Sequence, residues 1–127
     1  MKKTASQLCL ENCCLAIGDI DDFKRINDTY GHLCGDAILK QLAEHMRTRL
    51  DPAIFICRWG GEEFVFLFHD IREQDALQQL QDFCHWMNHT EFQYGEQNIP
   101  VTMTFGICCH QRLSLDELIN KADQLLY

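Results

Sequence analysis

The spacing of apolar residues along the chain predicts an alternation of strands and helices. Residues 13–20 (CCLAIGDI) form a short apolar run that ends on carboxylates, which is typical of a buried strand whose end reaches solvent. Residues 23–30 predict a short helix that Gly31 stops. Over residues 37–50, apolar side chains recur every three or four positions, which predicts a longer helix with one buried face.

The second half of the chain predicts a hairpin, a helix, a strand and a final helix. Residues 53–57 and 63–68 are β-rich runs on either side of Gly60-Gly61. Asp70 is a candidate cap for the next helix, and residues 98–108 predict another strand. Ser114 and Glu117 form a capping box before the last helix. The positions expected to face the core are Leu77, Leu80, Phe83, Cys84 and Met87 in the third helix, and Leu118, Ile119, Ala122 and Leu125 in the last.

This order of elements predicts an α+β fold, a ferredoxin-like or palm-type sandwich in which helices flank a central antiparallel sheet. The expected spatial order of the four core strands is fourth, first, third, second. Asp19, at the end of the first strand, then lies beside the hairpin that carries Glu62 and Glu63. Two acidic clusters that are distant in sequence are therefore expected to meet at one edge of the sheet.

Length and charge narrow the classes of function. The 127 residues have the size of one domain, and we find no internal repeat or linker. The net charge is −8, from 11 Lys+Arg against 19 Asp+Glu, and there is no basic run. This argues against a cationic face that binds nucleic acid. The apolar stretches are too short for a membrane-spanning helix, so no membrane contact by this domain is expected.

Eight cysteines suggest a disulfide framework at first, but their placement argues against it. There is no CxxC pair and no signal peptide, so we expect free thiols in a reducing cytoplasm, acting mostly as small buried hydrophobes. The sheet order brings Cys13-Cys14 near Cys108-Cys109, remote from Asp19. Alternation sends the two members of each pair to opposite faces, and a disulfide could form on oxidation.

The acidic clusters are candidates for a metal site. Asp19, Asp21 and Asp22 would meet Glu62 and Glu63, and like charges so close are stabilised by a divalent cation. Hard oxygen ligands suit Mg²⁺. The alternative is a solvated acidic loop end. The adjacent glycines favour the metal site, because residues without Cβ let a ligand approach the backbone.

Four polar residues after the first strand are candidates for nucleotide binding. Lys24 at a helix start could hold an anion, and Asn27 with Asp36 would suit the edge of a guanine base. Each has an ordinary structural alternative: a solvent-facing lysine, a helix-end asparagine and a first-turn acid favoured by the helix dipole. A lone His32 is more often structural.

Long motifs of this chain closely resemble those of the GGDEF family of diguanylate cyclases. They are residues 18–32 (GDIDDFKRINDTYGH), 35–36 (GD) and 58–64 (RWGGEEF), with 101–106 (VTMTFG) and 121–127 (KADQLLY) near the end. The resemblance covers nearly the whole chain. It implies synthesis of cyclic di-GMP and two pyrophosphates from two GTP molecules, with two Mg²⁺ or Mn²⁺ ions per active site. The second GTP would be presented by a second protomer of a homodimer.

The resemblance also implies roles for individual residues. Asp19, the backbone carbonyl of Ile20 and Glu62 match the metal ligands. Glu62 also matches the proton acceptor, Glu63 the neighbouring signature carboxylate, and Lys24 the residue that steadies phosphate charge. The positions that match the GTP pocket are Phe23, Asn27, His32, Asp36 and Gly61.

The chain departs from the family pattern in two places. Residues 51–54 (DPAI) stand where the family commonly has the Arg-x-x-Asp product site, so we expect no product inhibition there. The family's usual opening segment and its basic residues after the last helix are absent. We therefore expect a domain trimmed at both ends from a longer protein, with an upstream sensory part that can be membrane-anchored.

Three functions compete on the sequence alone. An enzyme is favoured, because every matched site residue is present. The alternative is a catalytically weak module that binds GTP or cyclic di-GMP and regulates, and a structural interaction domain comes third. Synthesis of cyclic di-GMP from GTP separates the first from the others.

Overall fold

The computed structural model describes residues 9–114 and the positions 117, 120 and 124. Three helices and six strands lie in the continuous part. In chain order they are β1 (Cys9–Ile20), α1 (Phe23–Tyr30), α2 (His32–Arg49), β2 (Phe55–Gly60), β3 (Glu63–Phe68), α3 (Glu73–Asn88), β4 (Glu91–Tyr94), β5 (Gln97–Pro100) and β6 (Met103–Ser114). The bounds of α1 and β3 are those predicted from the sequence.

The central sheet has four strands in the order β2-β3-β1-β6, with every neighbour antiparallel. Since β6 is the fourth core strand, this is the predicted order, and the α+β sandwich is confirmed. β1 lies in the middle and pairs with β3 on one side and β6 on the other. Its last residues therefore meet the β2–β3 turn and the start of β6 at the same edge.

The main core fills one face of this sheet. Apolar side chains of α2 and α3 pack there against the strands, among them Ile38, Leu42, Leu80 and Phe83. Successive residues of β1 alternate between faces. Cys14 and Ala16 join the main core, whereas Cys13, Leu15 and Ile17 form a second cluster with Val65 of β3. β1 is therefore buried on both faces, which explains its continuous apolar run.

Three predicted starts were wrong by two to five residues, and the first of them is that of β1, which begins at Cys9 rather than at residue 13. α2 begins at His32 rather than at residue 37, because the carbonyl of Gly31 already accepts bonds from the amides of Cys34 and Gly35. β2 begins at Phe55 rather than at residue 53. Asp51 holds the preceding turn, since its side chain accepts a bond from the Ala53 amide at 2.9 Å.

The predicted cap of α3 was also wrong. Asp70 has φ 53°, and α3 begins three residues later, with Arg72 at the N-cap and no side-chain bond closing it. The buried face is rotated relative to the prediction, because Ala76 is buried while Leu77 is 39% exposed. Leu80, Phe83 and Met87 are buried as predicted, and Cys84 is half-buried.

The single strand predicted over residues 98–108 is in fact two. β5 pairs with β4 in a separate two-stranded sheet around Gly95, whose φ is 61°, and β6 begins afterwards in the central sheet. Pro100 ends β5, since it has no amide to continue a ladder.

At the end of the described chain, Ser114 ends β6, and Glu117, Asn120 and Gln124 are helical. The predicted inward positions of that helix, Leu118, Ile119, Ala122 and Leu125, lie outside the described residues. Among the helices that are described, none combines the length and the apolar character needed to cross a membrane.

The cysteine pairs lie where the topology predicts. Cys14 is directly opposite Cys109 in the β1–β6 ladder, five residues before Asp19, which is about 17 Å along a strand. The two are joined by a disulfide, so the expectation of free thiols was wrong here. Directly opposed strand residues bring their Cβ atoms close enough for this bond. Cys34 is a buried free thiol, whereas Cys57 is exposed rather than buried.

Candidate active site

The end of β1 meets the β2–β3 turn in an acidic edge, formed by Asp19, Glu62 and Glu63. Asp19 lies directly opposite Glu63 in the ladder, and the amide of Ile20 donates to the carbonyl of Glu62 at 3.3 Å. Asp19 is exposed, while Glu62 and Glu63 are half-buried. The predicted meeting of two acidic segments is therefore present in the fold.

Electrostatics at this edge are repulsive. The pKa of Asp19 is raised above its ordinary value, first by partial burial and then by the negative charges of Glu62, Glu63 and Asp21, although a hydrogen bond from the Ile20 backbone lowers it. In the described part of the chain, ion pairs join Arg47 to Glu44 and Arg72 to Asp75, within α2 and at the start of α3. No cation of those residues is paired with the acidic edge.

The backbone of Ile20 points one of its polar groups toward the hairpin. The Asp21 amide donates to the carbonyl of Thr102 at 2.9 Å, on the β6 side. Because the peptide bond is trans, the carbonyl of Ile20 points the opposite way, toward the β3 side where Glu62 lies. A backbone oxygen is thus directed to the same side as two carboxylates.

The three aspartates after β1 occupy different environments. Both carboxylate oxygens of Asp21 accept hydrogen bonds, from the hydroxyls of Thr102 and Thr104, each at 2.7 Å. Asp22 has φ 54° and is the N-cap of α1, without a side-chain capping bond. Asp19 is therefore the aspartate of this segment that belongs to the acidic edge.

The hairpin turn is open on its outer side. Gly61 has φ 34°, and a Cβ placed on Gly60 or Gly61 would meet no described atom within 4 Å. Arg58 braces the turn, because its Nε donates to the carbonyl of Gly61 at 2.7 Å. A register shift between Arg58 and Gly60 marks a bulge just before the turn. A ligand can therefore approach the turn backbone without displacing a side chain.

A second group of predicted residues meets where α1 crosses α2. The side chains of Phe23 and Asn27 lie so close to Gly35 that a Cβ there would overlap Asn27 Oδ1 and lie 3.1 Å from Phe23 Cζ. Asn27 Oδ1 is buried and has no hydrogen-bond partner among the described residues. Buried oxygens are nearly always paired in folded proteins, so this one is suited to a donor from a ligand.

The remaining predicted residues lie on exposed positions. Lys24 is in the first turn of α1, and His32 and Asp36 are in the first turns of α2. Asp36 also lines a cavity of about 680 Å³ between α2 and the hairpin, whose other walls include Leu33, Lys40, Arg47, Arg58 and Phe64. Within the described residues, no hydrogen bond or ion pair joins Lys24 or His32 to the acidic edge or to the group around Asn27.

Four residues that shape the site lie in the quoted motifs but had no role assigned from the sequence. Thr102 and Thr104 hold Asp21, Gly35 makes room for Asn27, and Arg58 braces the turn. The spacing of the two threonines, which puts both on one face of a strand, was an available signal. Nothing local indicated which carboxylate they would bind.

The residues present fit a hard divalent cation. The expected donors are the carboxylates of Asp19 and Glu62 and the carbonyl of Ile20, and oxygen is the ligand that Mg²⁺ and Mn²⁺ prefer. Burial raises the pKa of Asp19 most, and the negative charges beside it raise it further; a cation relieves this repulsion. The described residues contain no cluster of three or more metal-binding side chains. The expected set needs only two side chains, since its third donor is a backbone oxygen.

Comparison with known proteins places this geometry in context. The sequence profile of the family described as "Diguanylate cyclase, GGDEF domain" matches residues 3–127. Diguanylate cyclase DgcP of Pseudomonas aeruginosa is 40% identical over 114 residues, which cover 89% of this chain and 17% of DgcP. Diguanylate cyclase DgcZ of Escherichia coli is 32% identical over 117 residues, 91% of this chain and 40% of DgcZ.

A solved structure shares the fold. The crystal structure of diguanylate cyclase SiaD in complex with its activator SiaC from Pseudomonas aeruginosa superposes with a TM-score of 0.80 at 33% identity. The match covers 90% of this chain and 44% of that one. The chain thus spans less than half the length of each of these relatives.

Proposed function

The chain belongs to the GGDEF family of diguanylate cyclase domains, and from this premise we propose that it joins two GTP molecules into cyclic di-GMP. Each round releases two pyrophosphates, and each of two copies presents one GTP to the other. The observation that carries the proposal is the acidic edge, where Asp19 faces Glu63 and the Ile20 amide bonds to Glu62. Such an edge suits a reaction in which phosphates and a divalent cation meet.

The acidic edge would hold the cation through Asp19, the carbonyl of Ile20 and Glu62. A bound Mg²⁺ or Mn²⁺ ion supplies Lewis-acid chemistry, because it polarises phosphate oxygens and favours ionisation of a nearby hydroxyl. Glu62 accepts the proton of the attacking 3′-hydroxyl, and Glu63 keeps the edge negative beside it. Lys24, at the exposed start of α1, contributes a positive charge to the phosphates.

Guanine recognition is proposed for Asn27 and Asp36. Guanine presents two neighbouring donors, N1–H and N2–H, whereas adenine presents a donor beside an acceptor. The unpartnered Asn27 Oδ1 and the exposed carboxylate of Asp36 are both acceptors, so they complement guanine better. Phe23 packs beside Asn27, Gly61 leaves the turn open, and His32 flanks the pocket at the start of α2.

Two copies of the chain are required by the chemistry. The 3′-hydroxyl of each GTP attacks the α-phosphate of the other, so both reacting groups are presented twice in a symmetric arrangement. A two-fold symmetric pair meets this requirement with one site per copy. The described residues offer one acidic edge and one proposed guanine pocket, which is consistent with one GTP per copy.

The test incubates the chain with GTP and Mg²⁺ at a concentration that lets two copies meet, and measures cyclic di-GMP and pyrophosphate by mass spectrometry. We expect product from GTP and none from ATP. Glu62→Gln should abolish synthesis without lowering the melting temperature, because it removes one repulsive charge from the acidic edge and no packing from the core. Glu96→Gln, in the exposed turn after β4, is the matched control and should be fully active.

Two results would contradict the proposal. Near-normal turnover by Glu62→Gln would refute the assigned role of that carboxylate. A folded chain that binds GTP with Mg²⁺ but makes no cyclic di-GMP would leave the regulatory-module alternative.

A further inference from the structure

Asp21 is fastened by three hydrogen bonds to Thr104 in β6 and to Thr102, which directly precedes that strand. Its Oδ2 accepts from Thr102 Oγ1 and its Oδ1 from Thr104 Oγ1, each at 2.7 Å. Its amide donates to the Thr102 carbonyl at 2.9 Å. The partners are 81 and 83 residues away in sequence, so these bonds join distant parts of the chain at the active-site edge. We name this set, Asp21 with Thr102 and Thr104, the threonine clamp.

Both oxygens of the Asp21 carboxylate already have partners in the protein. Hydrogen bonds to an ionised carboxylate are short and strong, and two of them from separate hydroxyls restrict the rotation of the carboxylate. Asp19, two residues earlier, accepts neither threonine hydroxyl and remains exposed. The two aspartates therefore differ in role. Asp21 fixes the backbone, whereas Asp19 faces solvent.

The clamp acts on the peptide that precedes Asp21. One peptide earlier in the chain, the Ile20 amide donates a hydrogen bond to the Glu62 carbonyl. Ile20 is thus anchored to the hairpin at its amide, and to β6 through Asp21. Because a trans peptide is planar, fixing the Asp21 amide on the β6 side also fixes the direction of the Ile20 carbonyl.

We propose that Asp21, Thr102 and Thr104 are positioning residues that aim the Ile20 carbonyl at a divalent cation. This inference rests on the proposed function, which gives the cation its role in the reaction. The binding of the cation can be tested without that function. Groups that orient metal ligands from behind commonly change metal affinity tenfold or more when they are removed.

The experiment measures the binding of Mn²⁺ without nucleotide. Binding is followed by the loss of the electron paramagnetic resonance signal of unbound Mn²⁺. Thr102→Val/Thr104→Val removes both hydroxyls and keeps the branched shape. We expect its Mn²⁺ affinity to fall about tenfold. Thr102→Ser/Thr104→Ser retains the hydroxyls and should bind within twofold of the wild-type chain.

A matched control is available on α2. Thr48 Oγ1 also donates to backbone carbonyls, those of Glu44 and His45, on an exposed surface outside the candidate site. Thr48→Val should leave Mn²⁺ affinity unchanged. This separates loss of the clamp from the general effect of replacing a hydrogen-bonded threonine by valine.

A second measurement does not depend on the metal. Hydrogen exchange of the Asp21 amide, followed by NMR, should become at least tenfold faster in the double valine variant and stay unchanged in Thr48→Val. If the double variant does not fold, Thr104→Val alone is used, since Thr102 still holds Oδ2 and the amide.

The outcomes distinguish the clamp from the proposed function. Mn²⁺ affinity within twofold of wild type in the folded valine variant, or no Mn²⁺ binding by the wild-type chain, would refute the clamp. A wild-type chain that binds Mn²⁺ through an intact clamp but makes no cyclic di-GMP would support the clamp and refute the function.

Discussion

The side-chain oxygen of Asn27 rests against Gly35, at a place where any Cβ would overlap it. Gly35 lies inside α2, where alanine is intrinsically favoured over glycine by about 1 kcal/mol. The close approach opposes this preference, because the Asn27 side chain would have to move to admit a Cβ. In the observed arrangement, the Asn27 side chain occupies the space that a side chain at residue 35 would need.

We predict that Gly35→Ala lowers the free energy of unfolding by about 1–3 kcal/mol, as overpacking does, despite the gain in helix propensity. Asn27→Ala should make room, so the same change in that background should be neutral or stabilising. Denaturant unfolding of the four proteins in this double-mutant cycle measures the coupling. Additive effects would show that Asn27 and Gly35 do not constrain each other.

The unpartnered Asn27 oxygen predicts selectivity for guanine. Asp36→Ala or Asn27→Ala should weaken GTP binding by about 1–3 kcal/mol relative to ATP, because each leaves a donor of the base without its acceptor. Calorimetry with both nucleotides measures the difference. Equal losses for GTP and ATP would show that these two residues do not read the base.

The acidic edge predicts that the charge of Asp19 lowers the stability of the folded chain when no cation is bound. Its raised pKa means that the folded state holds the proton more tightly than the unfolded chain does. Stability from this residue is thus lost as the pH rises from the ordinary aspartate range through the raised pKa. Without divalent cations at pH 7, Asp19→Asn should have a higher melting temperature than the wild type. The gain in the free energy of unfolding should be less than about 1 kcal/mol, since Asp19 is exposed.

The gain should fade as the pH falls, because Asp19 is then protonated as well. Glu96→Gln serves as the control for a simple loss of one negative charge. A lower melting temperature for Asp19→Asn than for wild type at pH 7 would contradict the repulsion.

The disulfide between Cys14 and Cys109 predicts a stability that depends on reduction. It closes a separation of 95 residues, and a loop of that length is stabilised by up to about 4–5 kcal/mol in the chain-entropy description. Cys109→Ala should unfold more easily than the oxidised wild type and about as easily as the reduced one.

Cys57→Ala, at an exposed free thiol, should respond to reductant as the wild type does. Mass spectrometry after alkylation counts the thiols in each state. A wild-type melting temperature that reductant leaves unchanged would argue against a stabilising bond.

The turn before β2 predicts that product does not bind at the family's usual secondary site. Asp51 Oδ1 is bonded to the Ala53 amide, and Ile54 is buried, so neither residue presents the charged fork that such a site requires. Calorimetry with cyclic di-GMP, without GTP or divalent cation so that no product forms during the titration, should show no tight binding. Tight binding that Asp51→Ala weakens would overturn this expectation.

The sequence alone determined much of the framework. The bounds of α1 and β3, the strand order and the meeting of Asp19 with Glu63 followed from periodicity, Gly31, Gly60-Gly61 and the usual topology of such an element order. These features depend on residues close in the chain or on pairing rules that hold for any antiparallel sheet. Local signals are sufficient for them.

The tertiary structure decided the features that depend on exact register and on packing between elements. Asp70 is a sound capping residue by type, yet α3 begins after Arg72. Residues 98–108 are mostly β-prone, yet β4 takes their first part into a separate sheet. In both places the tertiary context outweighed a local propensity of about 1 kcal/mol.

The same holds for the bonds of Asp21 and Cys14. Among three nearby aspartates and five cysteines on two strands, only the β1–β6 register selects which side chains meet. A shift of one residue would turn every side chain of β6 to the opposite face. Their partners lie more than 80 residues away, so no local pattern can select them.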